Sequence, residues 1–404
     1  MSDWQEYSIS ELCTDIIDCV NKTAPISSLP TPYRMLRTSD IRNGFINLEN
    51  LNCVTEEVFT KWTRRGALQE GDVIFTREAP LGEAGIVREA RNYFLGQRLV
   101  LYRANPAVCD NRFLLYWFLN PINKEGLKTR GVGSTVSHMR VPECERIKVT
   151  APPLQIQHRI ADILSAYDSL IETNQRQIKL LEEAAQRLYR EWFVDLRFPG
   201  HEDVPVVDGV PEGWIACTLD DVIEFNPRVT LTKDRIKQCV PMSALSTQSM
   251  ILDSREFTET TSNSGSKFQN GDTLLARITP CLENGKTGFV SGLLSDEGAV
   301  GSTEFIVMRS KALNPYMVYL LARTDDFRQN AINSMTGSDG RQRVQPDKIR
   351  TYQYLLPPIE MIDHFERLCK PTFEAIHALN KQNEVLAQAR DRLLPKLMSG
   401  DITI

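Results

Sequence analysis

The chain has 404 residues, a mass of 45.9 kDa and a formal net charge of −5. At ~150 residues per domain, this length predicts two or three domains, each large enough for its own core. Hydrophobic residues make up 42% and charged residues 25%, which argues against wholesale disorder, and the net charge excludes a generic polycation.

The opening stretch MSDWQEYSIS is polar and acidic, unlike a signal peptide. The longest strongly apolar runs, Phe113 to Leu119 and Tyr316 to Ala322, fall far short of the ~20 residues of a membrane span. There are nine cysteines and no C-x-x-C pair, so zinc ribbons and redox dithiols are not expected, and a reduced, cytoplasmic compartment is.

Up to residue 152, short runs rich in Val, Ile, Phe and Tyr, such as DVIFTR and RLVLYR, predict strands punctuated by Gly, Pro, Asn and Asp. RFLLYWFLN predicts a short apolar helix. A Gly/Ser loop, GSTVSHMR, and another strand-like run lead to Pro152-Pro153. The period then changes. From Leu154 to Phe193, apolar residues including Ile160, Leu164, Ile171, Ile178, Ala185 and Trp192 fall mostly at helical steps. A helix of about forty residues spans ~60 Å. The Pro/Gly-rich acidic segment FPGHEDVPVVDGVPEGW, Phe198 to Trp214, reads as a linker.

The same order of parts then returns, with a period of about 205 residues. Gly71-Asp72, Arg77 and Pro80 are answered by Gly271-Asp272, Arg277 and Pro280. Gly96 precedes LVLY, and Gly301 precedes FIVM. Gly133-Ser134 matches Gly337-Ser338, and Pro152-Pro153 matches Pro357-Pro358. Ile359, Ile362, Phe365, Phe373, Ile376, Leu386 and Leu397 form a second stripe, and two such stripes suggest a two-stranded coiled coil. Pro371 predicts a break or kink in it. Asn174 and Asn383 lie near the seams, where an Asn either fixes register or sits in solvent.

Familiar catalytic motifs are missing. No H-E-x-x-H, metal-spaced Cys/His cluster, G-x-S-x-G elbow or G-x-G-x-x-G fingerprint occurs. Gly285-Lys286-Thr287 lacks the earlier glycine of a phosphate loop and reads as a turn before a strand. Neither the Asn/Asp-Pro-Pro-aromatic loop of an amino-methyltransferase nor the Glu-x-Lys of a common nuclease is present. The pattern indicates a binding or assembly component with no catalytic residues and no metal site.

This organisation resembles the specificity subunits of type I restriction–modification systems. The resemblance is carried by APPLQIQHRIADILSAYDSLIETNQRQIKLLEEAAQRLYREWFVD, by LPPIEMIDHFERL with LAQARDRLLPKLMSGDI, by the PEGW opening at Pro211, and by GD-x4-R at Gly71 and Gly271. It covers essentially the whole chain. It implies an α+β fold of two globular β-rich target-recognition domains, residues 1–152 and 212–356. A central spacer helix (153–198), a linker (199–211) and a C-terminal spacer helix (357–404) would complete it. The two helices would pack antiparallel as a coiled coil, and the tandem duplication would give pseudo-twofold symmetry. Each domain would read one half of a split, asymmetric site in double-stranded DNA. Two modification (methyltransferase) subunits would dock on the duplicated surface, and restriction (helicase-nuclease) subunits would join them. S-adenosylmethionine would be held by the modification subunits, with no cofactor on this chain and no role for a membrane. A tandem repeat supplies the pseudo-twofold surface that two identical partners need. Neither half is basic overall, so the isolated chain would bind DNA weakly.

Base edges are read by donors and acceptors on loops, Arg and Lys favouring guanine, Asn and Gln favouring adenine. In the first domain the candidates are Lys61, Arg64 and Arg65 beside Trp62, then Arg77, and Ser134, Thr135, Ser137, His138 and Arg140. In the second they are Lys267, Arg277, Lys286, Ser338, Arg341, Gln342 and Arg343. Base-reading residues should differ between halves that read different sequences. By that logic residues 137–140 and 339–343 are the better base readers, while Arg77 and Arg277, which recur, are better assigned to phosphate or structure. Trp62, Tyr116 and Trp117 are expected in the core. Two other readings stay open here: a specificity component of a related non-type-I methyltransferase system, and a coiled-coil scaffold for two identical partners with no DNA role.

Overall fold

The run DVIFTR forms the strand Val73–Arg77, apolar on both faces because it lies between two cores. Val73 and Phe75 enter one core and Ile74 the other, the alternation that a strand imposes on successive side chains. These relations come from a computed structural model, which describes residues 4–48, 50–130, 138–295, 297–338, 340–402 and 404. The chain divides into two compact units, residues 1–171 with 385–404, and residues 172–384. Each long helix is therefore shared between the two units.

In the first unit, Cys13–Asp18, Leu99–Ala104, Val73–Arg77 and Leu81–Ile86 form an antiparallel sheet in that order. The helix Asn111–Leu119 packs on one face and buries Phe113 through Phe118. Asp110 caps it, accepting from the amides of Arg112 at 2.8 Å and Phe113 at 3.3 Å, donors otherwise left unpaired in a first turn. A second sheet, Asn52–Cys53, Arg34–Leu36 and Tyr93–Leu95, contains one parallel pair. Gln5–Ser8 pairs with Lys148–Ala151, so the domain closes on its own ends. Ile160, Ala161 and Leu164, from the start of the long helix Leu154–Tyr189, enter the same core as Leu394, Leu397 and Met398.

The second unit repeats the plan. Ile223–Phe225, Phe305–Ser310, Thr273–Ala276 and Thr287–Phe289 form the equivalent sheet in the equivalent order. Thr287–Phe289 is the strand expected after the Gly285 turn. The helix Pro315–Ala322 packs on it, capped by Asn314, which accepts from the Met317 amide at 2.9 Å. Ile215–Thr218 pairs with Gln353–Leu356. The second sheet again carries one parallel pair, Lys237–Val240 with Ala299–Gly301.

Within this unit the two long helices run antiparallel. Asn174 meets Gln382 and Asn383 at 2.9 Å, while Tyr189 and Trp192, further along, contact the ring of Phe365 at 6.0 and 5.6 Å. Asn174 is buried, so it is a polar layer in the seam and not a solvated position.

One expectation needs correction. The helix Ile359–Ser399 runs unbroken through Pro371. Pro371 is exposed, so water can solvate the carbonyl one turn back that loses its donor, while buried Cys369, Phe373 and Ile376 hold the flanking turns. The segment read as a linker carries regular structure of its own. Val206–Val207 and Val210–Pro211 form a hairpin, with Asp208 and Gly209 at φ +50° and +80° in the turn. Asp-Gly suits a two-residue turn with both φ values positive, a signal present in the sequence. Among the described residues, no helix is long and apolar enough to cross a membrane.

Candidate nucleic-acid interface

Each unit gathers three backbone segments at the end of its central strand. In the first, the amide of Arg77 donates to the Arg98 carbonyl at 2.8 Å, and the amide of Met139 donates to the Arg77 carbonyl at 3.0 Å. Glu78 and His138 face each other across an antiparallel bridge. In the second, the Arg277 amide donates to the Glu304 carbonyl at 3.0 Å, and the Val344 amide to the Arg277 carbonyl at 2.8 Å. Ile278 and Arg343 form the matching bridge. A cis proline follows at the same place in each, Pro80 and Pro280. The predicted recognition loops thus return to the shared arginines, through His138 in one half and Arg343 in the other.

Arg77 is built into its domain. Its guanidinium pairs with Asp18 at 3.3 Å and donates to the Met139 carbonyl at 3.1 Å. Asp18 also holds Arg65, at 3.1 Å, so one carboxylate ties two of the predicted residues together. Arg277 lies beside Glu304. The Nε atoms of both shared arginines are buried without a partner among the described residues. The internal bonding of Arg77 fits a structural role for that residue, whereas the Arg277 guanidinium has only its neighbour Glu304 among the described residues.

The other predicted residues separate clearly. Lys61 and Arg64 are exposed, with the Lys61 ammonium 5.9 Å from the Trp62 ring centre. Trp62 is half-buried against the Val54 and Phe94 cluster, whereas Tyr116 and Trp117 are core residues. Arg140 is exposed and opens the short helix Val141–Cys144, its amide donating to Glu143 at 2.7 Å. Ser134, Thr135 and Ser137 lie outside the described residues. Lys267 is half-buried in the strand Ser266–Phe268. Lys286 donates to the Met242 carbonyl at 2.9 Å. Ser338 and Arg341 are exposed, and Gln342 is half-buried, its carbonyl accepting from the Thr279 amide at 3.1 Å.

Arg343 grips Glu304 from the side, with Nε 2.9 Å from each carboxylate oxygen and Nη2 2.8 Å from one. This hydrogen bonding holds the Glu304 carboxyl below its usual range. In the first domain, the corresponding edge carries Arg98, in the left-handed region at φ +70°, with Nε 3.4 Å from Glu78. Glu78, Arg98 and Glu304 were not among the predicted residues. A signal existed, since Arg98 and Glu304 each directly precede the first residue of an equivalent strand. Among the described residues, no group of three or more His, Cys, Asp or Glu side chains could hold a metal ion.

Residues 1–183 match the model of the type I restriction modification DNA specificity domain. The MjaIX specificity subunit of a type I restriction enzyme from Methanocaldococcus jannaschii is 23% identical over 367 residues, covering 87% of this chain and 82% of that protein. The EcoEI specificity subunit of Escherichia coli is 33% identical over 154 residues, covering 37% of this chain and 26% of that one. The crystal structure of a type I restriction–modification S subunit from M. genitalium shares the fold, with a TM-score of 0.55 and 14% identity across 98% of this chain and 96% of that chain. The chain thus matches the type I DNA specificity domain over residues 1–183 and is similar along most of its length to type I restriction–modification specificity subunits.

Proposed function

We propose that this chain is the DNA address of a type I complex and performs no chemistry itself. Its two β-rich domains read the two halves of a split, asymmetric sequence in double-stranded DNA, and the helices set the unread gap. Two methyltransferase subunits, carrying S-adenosylmethionine, modify adenines at the site so chosen, and helicase-nuclease subunits act on unmodified sites. Such a complex works in the cytoplasm, where the DNA is.

One observation carries this reading best. The chain holds one scaffold twice, with different side chains at the same rim. A reader of two unlike half-sites needs a common frame and unlike contacts. The net charge of −5 fits a subunit whose phosphate contacts are largely supplied by partners.

The test is reconstitution with type I modification subunits from the same host, followed by methyl transfer to a library of duplexes of random sequence. The reading expects methylation confined to one bipartite motif and lost when this chain is omitted. Methylation of all duplexes alike, with or without the chain, would refute it.

A further inference from the structure

The two domains keep one kind of ion pair and rewire another. Arg103 grips Asp72 through Nε and Nη2, both at 2.9 Å, and Arg309 grips Asp272 in the same way, both at 2.7 Å. Both carboxylates are buried, with side chains 1% and 2% exposed. Here scaffold chemistry is copied residue for residue.

At the rim the copying stops. The first domain has Glu78, Arg98 and His138 where the second has Ile278, Glu304 and Arg343. A carboxylate and a guanidinium still meet in each domain, but at different positions of the same frame. The charges are also wetter. Glu78 and Arg98 are 31% and 50% exposed, and Glu304 and Arg343 are 25% and 40% exposed. A pair needed only for folding has no reason to move when its neighbours are kept.

The geometry leaves Arg343 prepared for a further ligand. Glu304 occupies Nε and one Nη2 proton, while Nη1 has no hydrogen bond among the described residues. The Nη1/Nη2 edge can therefore make two parallel hydrogen bonds, the arrangement that matches O6 and N7 of guanine. A carboxylate gripping the other edge fixes the plane of the fork before DNA arrives, which reduces the ordering cost of binding.

Resting on the DNA-address reading above, we infer that Arg343, held by Glu304, reads a guanine in the half-site of the second domain, and that Arg98, held by Glu78, does so in the first.

The experiment uses the whole complex with its modification subunits and measures methyl transfer on duplexes in which each base pair of the motif is replaced singly. Arg343→Ala should abolish discrimination at one G·C pair of one half-site, a loss of roughly 5- to 150-fold, and leave the other half-site unchanged. Arg98→Ala should do the same at one G·C pair of the opposite half-site. Arg343→Lys keeps a charge for Glu304 but lacks the fork, so it should retain the melting temperature and lose discrimination at that same pair. Glu304→Gln should weaken discrimination at that pair and at no other. Unaltered discrimination in folded Arg343→Lys would overturn the inference, as would a loss shared by both half-sites. A wild-type complex with no sequence preference at all would instead overturn the address reading on which it rests.

Discussion

Arg309 donates to both oxygens of Asp272 at 2.7 Å, and the carboxylate is buried while the guanidinium is about one-quarter exposed. The Asp272 carboxylate also accepts from the Gln269 amide at 2.7 Å, so it closes the turn that starts the central strand. Removing Asp272 leaves a cation and an amide without their acceptor in a largely desolvated place. Asp272→Ala should cost about 3 kcal/mol of stability in the second unit. Chemical denaturation followed by a probe in that unit measures it. The equivalent change, Asp72→Ala, should act on the first.

Glu182 gives the second unit a pH dependence. It lies buried on the first long helix, accepting from the Met250 amide and from the Ser249 hydroxyl at 3.3 Å, with Arg323 and Tyr319 as charged and titratable neighbours. Burial raises its pKa from 4.5 to about 7, and the hydrogen bonds and Arg323 only partly oppose this. The folded state then holds a proton that the unfolded chain releases near pH 4.5. This contribution is fully present below pH 4.5 and is lost as pH rises to about 7. The ceiling is about 3 kcal/mol, from ~1.4 kcal/mol per pKa unit. Glu182→Gln keeps an acceptor for Met250, so the variant should be flat in this window and more stable than wild type at pH 8. Denaturation midpoints across pH 5 to 8 provide the comparison.

The seam between the helices offers a third expectation. Asn174 donates to Gln382 and Asn383, both at 2.9 Å, from a buried position. Asn174→Ala removes both bonds and opens a small void, and should destabilise the second unit by about 1–2 kcal/mol. A melting curve equal to wild type would show that the polar layer contributes nothing net.

Lys61 and Arg64 are exposed and free of internal ion pairs among the described residues, so they suit phosphates better than base edges. Lys61→Ala and Arg64→Ala should weaken binding of the assembled complex equally on all duplexes. Each should reduce the slope of log affinity against log salt by about 1. Arg341 is exposed on the opposite domain's glycine-flanked turn, and Arg341→Ala should instead relax one half-site only. Binding titrations at several salt concentrations separate the two behaviours.

Much of the fold could be read from the sequence because repeated anchors fall at fixed spacing. Gly71-Asp72 and Gly271-Asp272 mark equivalent strand starts, and Pro152-Pro153 and Pro357-Pro358 precede both long helices. Helical periodicity is a local signal, and it survived Pro371 because that residue faces solvent. What could not be read depends on contacts between distant residues. Asp18 joins Arg65 to Arg77, and Glu304 joins Arg343 across 39 positions. No local pattern announces such a meeting. The repeat aligns Arg98 with Glu304 just ahead of equivalent strands, but the Glu78 partner of Arg98 is visible only in the folded chain.

The proposed role of this chain is to supply the DNA address. It is tested most directly by mapping methylated adenine at base resolution in host DNA, with and without the gene for this chain. The account expects one split motif to lose methylation on both its half-sites together when the gene is absent, and to regain it on complementation. Unchanged methylation at every motif, with the modification partner expressed throughout, would contradict it.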